Sequence, residues 1–463
     1  MAKGLIWFRA DLRVSDNPAL YAASQDCTDG LIAVYCICSK TWGMHDEAPC
    51  KIDFILRNLA LLSVKLNKLN IPLLIIELPH FSDCAKALLD LASKHTIDAI
   101  YFNKQYEYNE RKRDALLIKR FQAHKIAVNA YDEQTILAPG RILNKNYEAF
   151  KVFTPFKLKW WAEVSRADIM LSPMPKKQKF LLAQPSQIPH SIPDFTTTLD
   201  PNLWPAGEEY VHNRLKQFCE IGLFEYHEQR DFPAIEGTSR LSPYLAQGVI
   251  SARQCVYAIM DVLDAERPQE ILHHRGPNIW VDELIWREFY KLMLIYFPRV
   301  SKSQPFKEKA KNLAWHNDTE LFKAWCEGKT GFPLVDAAMR QLNSTGWMHN
   351  RLRMVTAMFL SKTLLINWQW GERYFMQHLI DGDLAANNGG WQWSASTGTD
   401  AVPYFRIFNP TTQSQKFDPD GEFIKQFCPE LEDCTKKTIH QPRNPIVDYK
   451  VSRQLALAMY KAL

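Results

Sequence analysis

Seven of the 26 prolines fall between Pro173 and Pro205, interleaved with Ser, Gln and Thr. No helix or strand can run through a stretch so dense in fixed φ angles and missing N–H donors, so it divides the chain. On its N-terminal side, short β-branched runs alternate with longer helical patterns: Leu5 to Phe8, Leu31 to Ile37, Leu73 to Ile76, Ala99 to Phe102 and Ile126 to Ala130. That alternation predicts a parallel α/β sheet. Pro49, followed by Ile52, Ile55, Leu56, Leu59 and Leu62 at helical spacing, predicts a crossover helix packed on it. On the C-terminal side the strand pattern vanishes, and apolar residues recur with helical period, as in Tyr210, Leu215, Phe218 and Ile221. The expected organisation is an α/β N-terminal domain with a doubly wound parallel sheet (1–132), a long interdomain linker (133–205) and an all-α C-terminal domain (206–463).

Composition narrows the class. Of 463 residues, 46% are hydrophobic and 23% charged, enough apolar material for more than one core and far from a disordered chain. A net charge of +5 neither demands nor opposes a polyanionic partner. The fourteen tryptophans require a large core or a surface that stacks on flat ligands, because each indole brings a broad apolar body and an N–H needing a partner. The first residues, with four apolar positions before Arg9, are too short for the core of a signal peptide, and no run approaches a membrane span. The ten cysteines include no CxxC. Cys36 and Cys38, the closely spaced pair, sit in an apolar run that reads as a buried strand. Reduced thiols, a cytoplasmic setting, no membrane contact and a monomer are expected.

Several tempting motifs fail on their chemistry. Gly328-Lys329-Thr330 looks like the end of a phosphate loop, but Lys323 stands where the first glycine belongs. No GxGxxG follows the first strand. His273, His274, His349 and His378 match no metal-ligand spacing, so no metal is expected. Three other stretches hold more. Asp282 to Tyr290 places Glu283, Trp286, Arg287 and Tyr290 on one helical face. A helix over Asn350 to Leu360 aligns Asn350, Arg353, Met354 and Ala357 beside Arg351. Leu379 to Trp393 combines Asp381, Asp383, Asn387, Asn388, Gly389 and Gly390 with two indoles, which reads either as a lining for a planar heterocycle or as a tight turn between helices.

These motifs, in one order along nearly the whole chain, carry a resemblance. Trp7-Phe8-Arg9-Ala10-Asp11-Leu12-Arg13, Gly237 to Tyr244, Trp286 to Tyr290, Asp381-Gly382-Asp383 and Pro403 to Arg406 are similar to bacterial class I cyclobutane pyrimidine dimer photolyases, of the photolyase and cryptochrome family. The resemblance implies an antenna-carrying α/β domain, a helical domain that holds FAD, and light-driven repair of cyclobutane dimers in damaged DNA. It implies that Tyr226, Thr238, Ser239, Arg240, Leu241 and Ser242 hold the phosphates and ribose. Arg353 would pair with Asp381 beside the isoalloxazine, Asp383 would accept from the ring edge, and Asn387 would face N5, where an amide suits a fully reduced, anionic flavin. Glu283 would hydrogen-bond the flipped-out dimer, with Trp286, Trp393 and Met354 walling the pocket. Asn350 and Met354 stand where the (6-4) repair branch uses histidines, which favours cyclobutane dimers.

The same resemblance assigns Arg230, Arg351, Arg406 and Lys416, with Glu283 and Asn350, to the DNA-binding mouth. It assigns Trp315, Trp368 and Trp391 to an electron-transfer chain. His45, Asn109, Glu110 and Lys302 resemble an antenna cleft for 5,10-methenyltetrahydrofolate; a deazaflavin, or no antenna, is the alternative, since Ser301 replaces a common cysteine. A cryptochrome-type blue-light photoreceptor of the same fold is the rival reading. The absence of a long tail after Phe423 weighs against it.

Overall fold

In the N-terminal half, five strands lie in the order β3-β2-β1-β4-β5, all parallel: β1 (Gly4–Phe8), β2 (Leu31–Cys38), β3 (Leu73–Leu78), β4 (Ala99–Asn103) and β5 (Ala127–Tyr131). The computed structural model describes residues 2–462. Each strand lies within a residue or two of its predicted run. The side-chain alternation of a strand splits the sheet's residues between two faces. Ile6, Phe8, Ala33, Tyr35 and Ile37 pack under helices α1 (Pro18–Asp26) and α2 (Pro49–Lys68). Leu5, Trp7, Ile32, Val34 and Cys36 pack under α3 (Phe81–His95) and α4 (Tyr108–Ala123). Both faces are covered, as right-handed parallel crossovers require.

The stretch predicted as linker is more structured than its prolines suggest. It carries helix α5 (Phe153–Glu163), a short helical turn at Arg166–Ile169 and a 3-10 turn at Pro201–Leu203. Its proline-dense part runs along edge strand β3, where Ser186 N donates to Leu73 O (2.9 Å) and Ile75 N donates to Ser186 Oγ (3.1 Å). An edge strand's unpaired groups are thereby satisfied without a further strand.

The C-terminal half is helical. Its frame is α6 (Arg275–Tyr296), α7 (Asn350–Met358), α8 (Trp368–His378), α9 (Leu384–Ser394) and α10 (Tyr449–Lys461). The helix predicted over Asn350 to Leu360 stops at Met358 and runs on as a π turn over Phe359–Thr363. Buried carboxylates join the two halves. Glu208 accepts from Val14 N (2.9 Å) and Ser15 Oγ (2.7 Å), and Asp16 from Ser251 Oγ (2.6 Å). Glu288 accepts from Ile136 N (2.8 Å) and Trp160 Nε1 (3.0 Å), tying α6 to the linker. Gly248, at φ +60, lets the helical half approach the first βα loop: a Cβ there would lie 2.2 Å from Ala10 O.

The Gly389-Gly390 pair lies inside α9 and not in a turn. A Cβ on Gly389 would fall 2.3 Å from Tyr290 Cδ1, so this glycine sets how closely α9 packs on α6. A Cβ on Gly390 would meet nothing within 4 Å. Gly328-Lys329-Thr330 links the Thr319–Cys326 and Pro333–Thr345 helices. The Thr330 N–H and hydroxyl donate to Asp336 (2.7 and 2.6 Å), fixing the entry to the Pro333–Thr345 helix.

Candidate active site

Arg353 on α7 reaches Asp381, just before α9, with Nη2 donating to Oδ2 at 2.7 Å and Nε to Met348 O at 2.8 Å. Asp381 is buried, and its other oxygen, Oδ1, has no partner among the described residues. A buried carboxylate with one oxygen committed and one free is an acceptor waiting for a donor. Beside it on α9, Asn387 is held by Nδ2 donating to Glu372 O (2.9 Å), and Asn388 Nδ2 donates to the Glu372 carboxylate (3.3 Å). Burial pushes the Glu372 carboxyl up to about 7 against that hydrogen bond.

Asp383 does something the sequence did not indicate. Its Oδ1 caps α9 by accepting from Ala386 N (3.0 Å), and its Oδ2 pairs with Lys291 of α6 at 2.6 Å. Lys291 is buried and reaches Glu107 at the start of α4 as well (2.9 Å), so one ammonium joins both halves of the chain. Both Asp383 oxygens thus have partners within the protein, in addition to the ring-edge role that the resemblance implies.

The residues expected around the phosphates and ribose converge. Trp280 Nε1 donates to Ser239 Oγ (3.4 Å), Arg214 Nε to Ser239 O (2.7 Å), and Trp347 Nε1 to Ser242 Oγ (3.1 Å). The Arg240 guanidinium lies 5.4 Å from the Trp347 ring centre and pairs with Glu236. Arg240 takes a positive φ of 50°, which turns the chain sharply between Thr238 and Leu241. Tyr226 is buried at the end of this group, under Arg230. These hydroxyls, the cationic Arg240 and Arg353, the free Asp381 oxygen and the open side of α9 at Gly390 fit FAD.

Several of the mouth residues are linked by direct contacts. Glu283 on α6 pairs with Arg230 at 2.7 Å, Arg351 pairs with Asp231 at 2.7 Å, and Arg351 and Lys416 lie over the Phe417 ring at 4.5 and 5.1 Å. Burial pushes the Glu283 carboxyl up while Arg230 pulls it down. Arg406, Lys416 and Asn350 are exposed, and neither Arg406 nor Lys416 has a carboxylate partner among the described residues. Trp286, Met354 and Trp393 are half-buried. One face of Trp286 is stacked on Phe153 at 3.5 Å and 9°. Phe153 comes from α5, so the supposed linker builds a wall of the site, a contribution that only the three-dimensional contact reveals.

Trp315, Trp368 and Trp391 share one apolar cluster, with Trp368 and Trp391 buried and Trp315 half-buried at its edge. Between the α/β and helical halves, a 310 Å³ cavity is lined by His45, Asn109, Glu110 and Ser301, among others. His45 Nε2 and Asn109 Nδ2 are 2.9 Å apart, and Glu110 lies 3.7 Å from His45 Nδ1. Burial, with Glu107 nearby, pushes the Glu110 carboxyl up to about 8. Lys302, next to Ser301 of this lining, is exposed, with its ammonium 3.9 Å from the Tyr108 ring centre.

Comparison with known proteins places these features in a family. The family described as DNA photolyase matches residues 4–178, and the FAD binding domain of DNA photolyase matches 280–462. The chain is 45% identical over 476 residues to a deoxyribodipyrimidine photo-lyase of Salmonella typhimurium, covering 100% of this chain and 99% of that one. It is 44% identical over the same length to one of Escherichia coli, with the same coverage. Among solved structures, a bacterial class III photolyase from Agrobacterium tumefaciens matches with a TM-score of 0.86 at 33% identity, covering 100% of this chain and 98% of that one. A Synechocystis cryptochrome matches with a TM-score of 0.86 at 25% identity over 99% of each chain. The chain belongs to the DNA photolyase family.

Proposed function

We propose that this protein repairs cyclobutane pyrimidine dimers in DNA under light, using FAD held in the helical half. The supporting observation is the Arg353–Asp381 pair with its free buried oxygen, together with the Arg230–Glu283 pair. When bound and reduced, FAD supplies on illumination one electron, under which the two C–C bonds joining the pyrimidines break, and the electron is returned, so nothing is consumed.

The protein's part is binding, orientation and charge. Arg353 places a fixed cation where a reduced, anionic ring is stabilised, and Asp381 Oδ1 accepts from it. Asn387, fixed by Glu372, would present its amide to the flavin ring. A dimer cannot be reached inside a duplex, so it is taken out of the stack. Trp286, backed by Phe153, and Trp393 provide the apolar walls that receive it, with Met354 beside them. Glu283, held by Arg230, turns a carboxyl toward the pyrimidine edge. Arg406, Lys416 and Arg351 meet phosphates, which position the strand without reading its sequence. Trp315, Trp368 and Trp391 carry electrons from the surface inward. The cavity at His45, Asn109 and Glu110 holds a light-harvesting chromophore, for which the family resemblance suggests 5,10-methenyltetrahydrofolate, with a deazaflavin or no antenna as the alternative.

The test is a pair of variants. Glu283→Ala and Trp286→Ala, each retaining flavin absorbance, should bind dimer-containing oligonucleotide at least about tenfold more weakly and repair fewer dimers per photon. Unchanged dimer binding and yield in both would remove these residues from the site. A bound flavin with light-dependent changes but no repair would favour a photoreceptor.

A further inference from the structure

The cavity at His45 and Glu110 is also lined by three thiols, two from the end of one strand and one from a helix some fifty residues on. Period-two alternation at the end of β2 puts Cys36 and Cys38 on one face of the sheet, and the first turn of α3 lays Cys84 over them. Cys38 Sγ and Cys84 Sγ are 3.5 Å apart. All three residues line the cavity together with Arg9 and Arg113, two buried guanidiniums stacked on Trp7 at 4.3 and 4.7 Å. The described residues hold no group of three or more ligating side chains arranged for a metal ion, so the chemistry on offer is that of the thiols themselves.

We propose that Cys84 and Cys38 are a redox modification site, closing to a reversible disulfide when a small peroxide enters the cavity. The sulfurs need approach by only about 1.5 Å from their 3.5 Å separation to bond. Hydrogen bonds from Cys36 and Cys38, with the Arg113 and Arg9 cations, favour the thiolate at Cys84 and leave Cys36 and Cys38 protonated. Elsewhere burial does the opposite, pushing Cys27 up to about 11 and Cys50, Cys219, Cys326 and Cys428 up to about 12. The thiolate is the reactive form, so Cys84 is the nucleophile. Its sulfur attacks the peroxide O–O bond, giving a sulfenic acid and releasing hydroxide. Cys38 sulfur then displaces the sulfenic oxygen, which leaves as water with the Cys38 proton. Two thiols are oxidised and one peroxide is reduced.

The experiment treats the flavin-loaded protein with hydrogen peroxide, alkylates the remaining thiols after denaturation and maps the peptides. The expected result is a Cys38–Cys84 cross-linked peptide that dithiothreitol removes. Cys84→Ser should slow peroxide-driven thiol loss roughly tenfold. Flavin absorbance reports whether each variant folds. Cys38→Ser supplies an independent reading, because the sulfenic acid at Cys84 should persist there and be trapped by dimedone. The proposal is overturned if another cysteine oxidises first, if Cys36 is the cross-linked partner, or if the cross-link forms only after the flavin is released by unfolding.

Discussion

Asp383 and Lys291 show how a single residue's charge can serve both fold and site. Lys291 and Arg287 hold the Asp383 carboxyl down to about 2 despite burial, against 3.8 for a free side chain. A carboxyl with a lowered folded pKa contributes stability that is complete above its unfolded pKa and is lost as pH falls through the folded one. The increment is about 2 kcal/mol, present above about pH 4 and gone near pH 2. In Asp383→Asn, the denaturant midpoint should therefore be lower at neutral pH and fall less steeply over that acid range; an unchanged slope would contradict the pairing. Asp383 was visible in the sequence, within Asp381-Gly382-Asp383, but its partners were not. Lys291 lies on the buried side of α6 and Glu107 in the other half of the chain, and no local pattern links them.

At the scale of elements, the contact of α9 with α6 positions the site, and its two adjacent glycines have opposite environments. Gly389→Ala must push Tyr290 aside, costing about 1–3 kcal/mol and loosening flavin retention. Gly390→Ala meets open space, and alanine favours a helix over glycine by up to about 1 kcal/mol, so the flavin-free protein should be as stable or more so. Thermal unfolding of both variants with and without FAD tests this; equal destabilisation by both would contradict the packing described. Period and propensity made the strands and long helices legible, because each buries a regular face. The wall at Phe153 was not legible, since α5 lies in a stretch read as linker and its stacking on Trp286 spans distant parts of the chain. The glycines could be read from sequence as a turn or as a close approach, and only the helix–helix contact distinguishes the two.

For the whole molecule, charge placement matters more than its sum of +5. Arg406 and Lys416 are exposed and unpaired among the described residues, whereas Arg230 and Arg351 already hold Glu283 and Asp231. Each phosphate contact releases about one counterion, so Arg406→Ala and Lys416→Ala should each lower the salt slope of DNA binding by about one. Arg351→Ala should lower it by less, because the Arg351 charge is already partly neutralised by Asp231. Equal slopes for all three variants and the parent would move the interface elsewhere. Among the described residues no helix is long and apolar enough to cross a membrane. The division into an α/β and a helical half was legible from the prolines outward, yet the buried ion pairs that join the halves were not, because each spans well over a hundred residues. The central claim is light-driven repair. Its most direct test is to illuminate the reduced, flavin-loaded protein with dimer-containing oligothymidine and follow the recovery of thymine absorbance. Recovery that requires both light and reduced flavin is the predicted result; a bound, reduced flavin with no recovery under illumination would contradict the account.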